Sequence, residues 1–195
     1  MINLYCLKIE KSISSTFGDS MSSKYNESSA RKRSAFAWTC LEKILFKHTG
    51  LVLNNNMIEY NNHGKPFIKN NPIFFNISHS SDYIVIGISD SDIGVDIERV
   101  VSKERADHLI QRFNQEYIDA YNNTPDKQVF FTKCWILMEA YSKMMGTGLS
   151  FKLIKDYTSS NNVFFNIVDS STKETFYYTA INKNNDKIDN IYFEI

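Results

Sequence analysis

Between Pro125 and Gly146 the chain carries no glycine or proline, and its apolar residues recur at helical spacing. That stretch constrains the fold most, because so long an apolar run without a breaker has to be a helix packed on a core. Pro125 suits the first helical position with Thr124 as N-cap, and Gly146 and Gly148 suit the end. Trp135, Met138, Glu139, Ser142 and Lys143 fall on one face. Val129, Lys133, Ile136, Ala140 and Met144 form a second, mostly apolar stripe expected to meet a core. A carboxylate and an ammonium one turn apart suit a metal-phosphate site. Taken alone, the helix is explained better by a Glu–Lys pair worth a few tenths of a kcal/mol.

A chain of 195 residues makes one large domain or two small ones. Lys plus Arg and Asp plus Glu are 22 each, which argues against a protein that coats nucleic acid. The three cysteines, Cys6, Cys40 and Cys134, are far apart and odd in number, so they are read as reduced, half-buried thiols. The N-terminus reads as a strand rather than a signal peptide, and no apolar run approaches a membrane span. A cytoplasmic protein is expected, with neither nucleic acid nor membrane as partner. Paired asparagines such as Asn61-Asn62 and Asn122-Asn123 mark turns.

Strands are expected at residues 2–9, 57–60, 67–69, 73–78, 83–89 and 93–97, with 83–89 and 93–97 forming a hairpin about Asp90-Ser91-Asp92. Helices are expected at 30–47, 103–113 and 115–121, and residues 12–29 read as a polar connection. Strands return at 163–168, 176–181 and 191–195. The pattern is α+β, with two comparable halves, 1–92 and 93–195.

In Gly94-Val95-Asp96-Ile97-Glu98, strand alternation puts Asp96 and Glu98 on one face and Val95 and Ile97 on the other. Adjacent carboxylates repel unless water or a cation lies between them, and two of them with a third are an ordinary Mg²⁺ donor set. Taken alone, the segment is explained better by a solvated strand face. In Phe75-Asn76-Ile77-Ser78-His79-Ser80, an imidazole among hydroxyls after a strand can donate to a phosphate. Gly64-Lys65-Pro66-Phe67 pairs a permissive backbone with a point charge. Arg31-Lys32-Arg33 opens a helix, where the dipole disfavours cations, and so invites an anion.

The order of these segments is more informative than any one of them. GKPF, FNISHS, GVDIE, Arg112-Phe113-Asn114-Gln115-Glu116, then Trp135, Glu139-Ala140-Tyr141-Ser142-Lys143 and GTGLS resemble the Sfp-type 4′-phosphopantetheinyl transferases, from about residue 30 to residue 151. The resemblance implies a pseudo-twofold pair of similar α/β halves with the active site in the cleft between them. It implies transfer of the 4′-phosphopantetheine arm of coenzyme A to a serine of an apo acyl or peptidyl carrier protein, with release of adenosine 3′,5′-bisphosphate. A monomer is expected.

Carried over residue by residue, Asp96, Glu98 and Glu139 would hold Mg²⁺, with Mn²⁺ also acceptable to oxygen donors. Glu139 would also take the serine proton, and Lys143 would reach the phosphates. Ser78 and His79 would contact a phosphate of coenzyme A, and Lys65 and Pro66 would line the nucleotide end. One of Arg31, Lys32 and Arg33, with Arg33 the first choice, would bind the 3′-phosphate. The family places a lysine where this chain has Met138, and a Gly-Arg often follows where this chain has Ser34-Ala35. Two rivals follow: a non-catalytic homologue that binds coenzyme A or a carrier protein, and a metal-dependent phosphoesterase.

Overall fold

The computed structural model describes residues 1–9, 13–149 and 163–194. Nine strands and five α-helices are found among them: β1 (Ile2–Lys8), α1 (Thr16–Met21), α2 (Ser28–Thr49), β2 (Ile58–Tyr60), β3 (Pro66–Ile68), β4 (Phe74–Ser80), β5 (Tyr83–Ser89), β6 (Ile93–Arg99), α3 (Lys103–Leu109), α4 (Gln115–Asn123), α5 (Lys127–Met145), β7 (Phe165–Val168), β8 (Thr175–Asn182) and β9 (Ile188–Tyr192). The chain is α+β.

The strands form a four-stranded sheet ordered β4-β5-β1-β9, a three-stranded sheet ordered β6-β8-β7, and the small β2-β3 ribbon. Strand alternation divides β1 between two cores. Tyr5 and Leu7 pack with Phe36, Trp38, Leu41, Ile44 and Leu45 of α2. Ile2, Leu4 and Cys6 pack with Val95 and Ile97 of β6 and Phe176 and Tyr178 of β8. The four-stranded sheet therefore lies between α2 and the three-stranded sheet. Leu137, Ala140 and Met144 of α5 pack with Ile181 of β8, which adds a second helical layer. Val101, Ala106, Ile110, Phe113, Tyr121, Phe131 and Met138 form a further core where α3 and α4 meet α5.

Several boundaries differ from the sequence expectation. Residues 83–89 and 93–97 are not a hairpin: β5 is flanked by β4 and β1, while β6 pairs with β8. Both backbone edges of β5 are already taken, so Asp90-Ser91-Asp92 carries the chain from one sheet to the other. The connection 12–29 contains α1, capped by the Ser15 side chain on Gly18 N. The cap of α5 is Asp126, whose Oδ1 accepts from Val129 N at 3.0 Å, and not Thr124 ahead of Pro125. His79 lies on a strand rather than in a loop, because the β4–β5 ladder continues through His79↔Ile84 to Ser80↔Tyr83. The last strand starts earlier than expected and runs parallel to β1, and Ile195 lies outside the described residues. Gly50 and Gly146 end the two long helices in left-handed conformations, φ 71° and 64°, as their positions predict. Cys6 and Cys40 are fully buried and Cys134 half-buried, and burial pushes each thiol up to about 12.

Two local features fix this arrangement. Helix α5 crosses β6 at Gly94, where a Cβ would lie 1.8 Å from the Ala140 carbonyl oxygen and 2.5 Å from Met144 N. Gly94→Ala is expected to lower stability by about 3 kcal/mol, read by denaturant unfolding, because helix and strand backbones would have to part. A loss below about 1 kcal/mol would show that the contact yields.

The second feature is Asp169, 4% exposed. It accepts from Lys8 Nζ at 2.7 Å, Tyr83 Oη at 2.8 Å and the backbone of Ser171 and Thr172. Lys8 first, then Ser171, Thr172 and Tyr83, holds this carboxyl well below the usual carboxylate range. Its folded pKa is thus below the unfolded value of about 3.9, so its stabilisation is full above that value and is lost as pH falls toward the folded pKa. Asp169→Asn should melt lower at neutral pH and lose less stability between about pH 5 and about pH 3 than the parent. Parallel pH profiles would sink this assignment.

Candidate active site

Alternation along β6 turns Val95 and Ile97 into the core between the sheets and Gly94, Asp96 and Glu98 toward α5. Because Gly94 brings α5 close, Glu139 and Lys143 meet the carboxylates of the strand. Lys143 Nζ donates to Asp96 Oδ1 at 2.6 Å and to Ser78 Oγ at 3.0 Å. Ser78 Oγ donates in turn to the same Asp96 oxygen at 2.7 Å. Asp96 is 6% exposed, so this pairing compensates a buried charge.

Strand β4 has no backbone ladder to β6. Side chains join the two instead. Asn76 Oδ1 accepts from Val95 N at 2.9 Å, Ser78 reaches Asp96, and Ser80 Oγ donates to Glu98 Oε1 at 3.2 Å. Three alternate residues of one strand thus set the carboxylate-bearing strand beside it. Burial first, then the negative charge of Asp96, raises the Glu139 carboxyl above its ordinary value, with Glu98 adding to the rise and Lys143 opposing it. Glu139 therefore feels both strand carboxylates. Among the described residues no three metal-type side chains converge in metal-holding geometry, and Lys143 sits on Asp96.

Two adjoining cavities flank this centre. One, of about 310 Å³, is lined by Glu139, Ser142, Lys143, Gly146, Asn76 and the 63–66 turn. The other, of about 270 Å³, is lined by Lys24, Tyr25, Arg33, Trp38, Tyr60 and His79. They share Gly64, Pro66, Asn76 and Ile77, so they adjoin, and the two together are the groove. A larger cavity of about 480 Å³ on the other side of Lys65 and Pro66 is lined mainly by Phe67, Ile73, Phe74, Phe75 and Met144, and by none of Asp96, Glu98, Glu139 and Lys143.

Of the residues expected in the site, Arg33, Lys65, Pro66, His79, Glu139 and Lys143 line the groove, whereas Asp96 and Glu98 line neither cavity, and three further differences follow. Of Arg31, Lys32 and Arg33, only Arg33 lines it; Arg31 and Lys32 are exposed on the first turns of α2. Lys65 lines the groove with Pro66, yet its ammonium is committed elsewhere. It donates to Ile93 O at 3.2 Å and Met144 O at 2.9 Å and lies 3.6 Å from Asp92. Burial lowers its pKa, with Asp92 opposing. Ser78 is 6% exposed, with its hydroxyl taken by Asp96 and Lys143 rather than presented to a phosphate. His79 projects from the edge of β4. Atoms packed about the ring desolvate it and Arg33 and Lys143 add positive charge, so its pKa falls below the ordinary value.

Met138 is 5% exposed in the core shared with α3 and α4. The residue that departs from the family pattern is thus a packing residue, not a vacant place among the anion-binding cations. Lys24, Asn76 and Ser142 line the groove and were not selected from sequence. Lys24 Nζ lies 4.9 Å from the Tyr60 ring, a contact that joins distant segments and leaves no sequence signal. The signals for the other two were positional: Asn76 alternates with Ser78, and Ser142 shares a helix face with Glu139.

A model of the 4′-phosphopantetheinyl transferase superfamily matches residues 92–188. The 4′-phosphopantetheinyl transferase psf-1 of Bacillus pumilus is 32% identical over 124 residues, 59% of this chain and 52% of that protein. The 4′-phosphopantetheinyl transferase gsp of Aneurinibacillus migulanus is 30% identical over 145 residues, 73% of this chain and 60% of that protein. The 4′-phosphopantetheinyl transferase Sfp of Bacillus subtilis is 35% identical over 95 residues, 47% of this chain and 42% of that protein. The chain belongs to the 4′-phosphopantetheinyl transferase superfamily and is of the Sfp type. It spans about half the length of the curated relatives it matches.

The Lys143–Asp96 pair is open to direct test. Lys143→Met should lower the melting temperature of the metal-free protein, because it leaves Asp96 buried without its cation. Asp96→Asn should recover part of that loss, giving a coupling of at least about 1 kcal/mol in a double-mutant cycle. Additive effects would mean that the two groups do not depend on one another.

Proposed function

We propose that the protein transfers the 4′-phosphopantetheine arm of coenzyme A to a serine hydroxyl of an apo acyl or peptidyl carrier protein, releasing adenosine 3′,5′-bisphosphate. The observation that carries this reading is the approach of Glu139 and Lys143 of α5 to Asp96 and Glu98 of β6, with Glu139 and Lys143 themselves at the wall of a groove whose far end holds Arg33 and His79. A divalent cation, anionic phosphates and a proton acceptor are the needs of phosphoryl transfer, and the protein's part is positioning and charge stabilisation.

Asp96, Glu98 and Glu139 are hard oxygen donors and fit Mg²⁺ in chemistry, and Mn²⁺ as well. When bound, the ion would supply charge neutralisation at the diphosphate. The remaining work falls to the chain. Lys143 offers its ammonium to the phosphates from the groove wall. Arg33 and His79 hold the anionic nucleotide end, with Lys24 beside them, and Pro66 and Gly64 let that end approach the backbone. Glu139, whose basicity burial has raised, accepts the proton of the carrier serine as its oxygen bonds to phosphorus and the bond to the departing nucleotide phosphate breaks.

The two larger sheets, one covered by α2 and the other by α5, support a pseudo-twofold relation of residues 1–92 and 93–195, with the groove as the cleft between them. A monomer with coenzyme A and a carrier protein as its partners is the simplest assembly. The packing of Met138 in the core favours the transferase over a non-catalytic homologue, and a groove walled on one side by the 63–66 turn suits a defined nucleotide better than general phosphoester hydrolysis.

The deciding experiment is intact-mass spectrometry of apo acyl and peptidyl carrier proteins after incubation with the protein, coenzyme A and Mg²⁺. The expected result is a gain of one phosphopantetheine arm, abolished by chelation and by Asp96→Ala or Glu139→Ala in variants that remain folded. Near-normal transfer by either variant would overturn the carboxylate roles, and free phosphate without carrier modification would favour a phosphoesterase.

A further inference from the structure

Two buried side-chain atoms have no hydrogen-bond partner among the described residues, Ser91 Oγ and Ser142 Oγ. Ser142 is 2% exposed. A buried hydroxyl left unpaired is destabilising, and native structures rarely keep one without a reason. The surroundings of the two serines differ. Ser91 lies in the link between β5 and β6. Ser142 lies on α5, between Glu139 and Gly146, and forms part of the wall of the 310 Å³ cavity.

The usual partner of a helical serine is the carbonyl one turn earlier. Thr132 makes that bond to Gln128 O at 2.7 Å on the same helix. Ser142 makes none. Its own backbone carbonyl is taken by Gly146 N at 2.9 Å, which fixes the last turn of α5 and keeps the side chain at the cavity wall. Across the cavity stand Asn76, whose Oδ1 is engaged by Val95 N, and the backbone of Gly64 and Pro66. An unpaired polar group thus lies in the wall of a space whose other walls include Glu139 and Lys143, and none of the described residues satisfies it.

We infer that Ser142 is a substrate-positioning residue whose partner arrives with the ligand: its hydroxyl donates to an acceptor oxygen in the part of coenzyme A that adenosine 3′,5′-bisphosphate lacks, the outer phosphate and the pantetheine arm. The assignment rests on the proposal that coenzyme A occupies the groove. Its place beside Glu139 and Lys143, away from Arg33 and His79, puts the contact on the reacting side of the ligand and not at its nucleotide end. An acceptor oxygen there is a phosphoryl or an amide oxygen, and a hydroxyl donor serves either.

The inference has an unusual signature. Ser142→Ala should raise the melting temperature of the ligand-free protein by about 2 °C, since an unpaired buried hydroxyl is removed from a helix interior. It should also weaken coenzyme A binding about fivefold by calorimetry, with the affinity for adenosine 3′,5′-bisphosphate unchanged. Ser91→Ala is the matched control: its stability is free to change, but affinity for coenzyme A should not. Unchanged coenzyme A affinity in Ser142→Ala overturns the inference. Equal losses for coenzyme A and the bisphosphate, or an equal loss in Ser91→Ala, overturn it too. Absence of carrier modification by a parent protein that binds coenzyme A would count against the proposed transfer and not against Ser142.

Discussion

Helix α5 rests directly on the backbone of β6, because Gly94 has no side chain to hold them apart. The rest of the site depends on that approach. With β6 and α5 in contact, Asp96 and Lys143 pair at 2.6 Å, and Glu139 is close enough to feel both strand carboxylates. A methyl group at Gly94 would force apart backbone atoms rather than flexible side-chain ends. The glycine is therefore a geometric condition for the chemistry, although it carries none itself.

The second dependence is on β4. It belongs to the other sheet, yet Asn76, Ser78 and Ser80 bond Val95, Asp96 and Glu98 of β6 in turn. A backbone ladder would have joined the two sheets into one and closed the space between them. Side-chain bonds join the two strands where a ladder is absent, and the 310 Å³ cavity opens beside them, against α5. The same bonds explain why Ser78 serves Asp96: its hydroxyl is the link between the sheets as well as a partner of Lys143. Lys65 acts similarly from the opposite wall, tying the end of α5 to the start of β6.

How much of this was legible varies with the kind of signal. The apolar stripes of α2 and α5, the glycines that end both helices and the alternation of β6 follow from local periodicity, and the structure keeps them. The hairpin expected about Asp90-Ser91-Asp92 failed for a reason no local pattern contains. Two adjacent strands with a tight turn pair only if their edges are free, and the edges of β5 are taken by β1 and β4. Met138 was read as a lost cation because it follows the family lysine position on a helix face shared with Glu139. The packing of α3 and α4 against that face makes it core.

The sequence by itself determined most of the secondary elements, though not α1, together with the α+β class and the family, because these rest on periodicity and on motifs whose residues lie close along the chain. It also determined that Asp96 and Glu98 share one side of a strand and that Glu139 and Lys143 share one side of a helix. Only the tertiary structure decided that those two sides face each other, that Arg33 and not Arg31 or Lys32 reaches the groove, and that Ser142 is buried without a partner. Each of these depends on which surfaces pack together across long sequence separations, and packing, unlike periodicity, is a property of the whole chain.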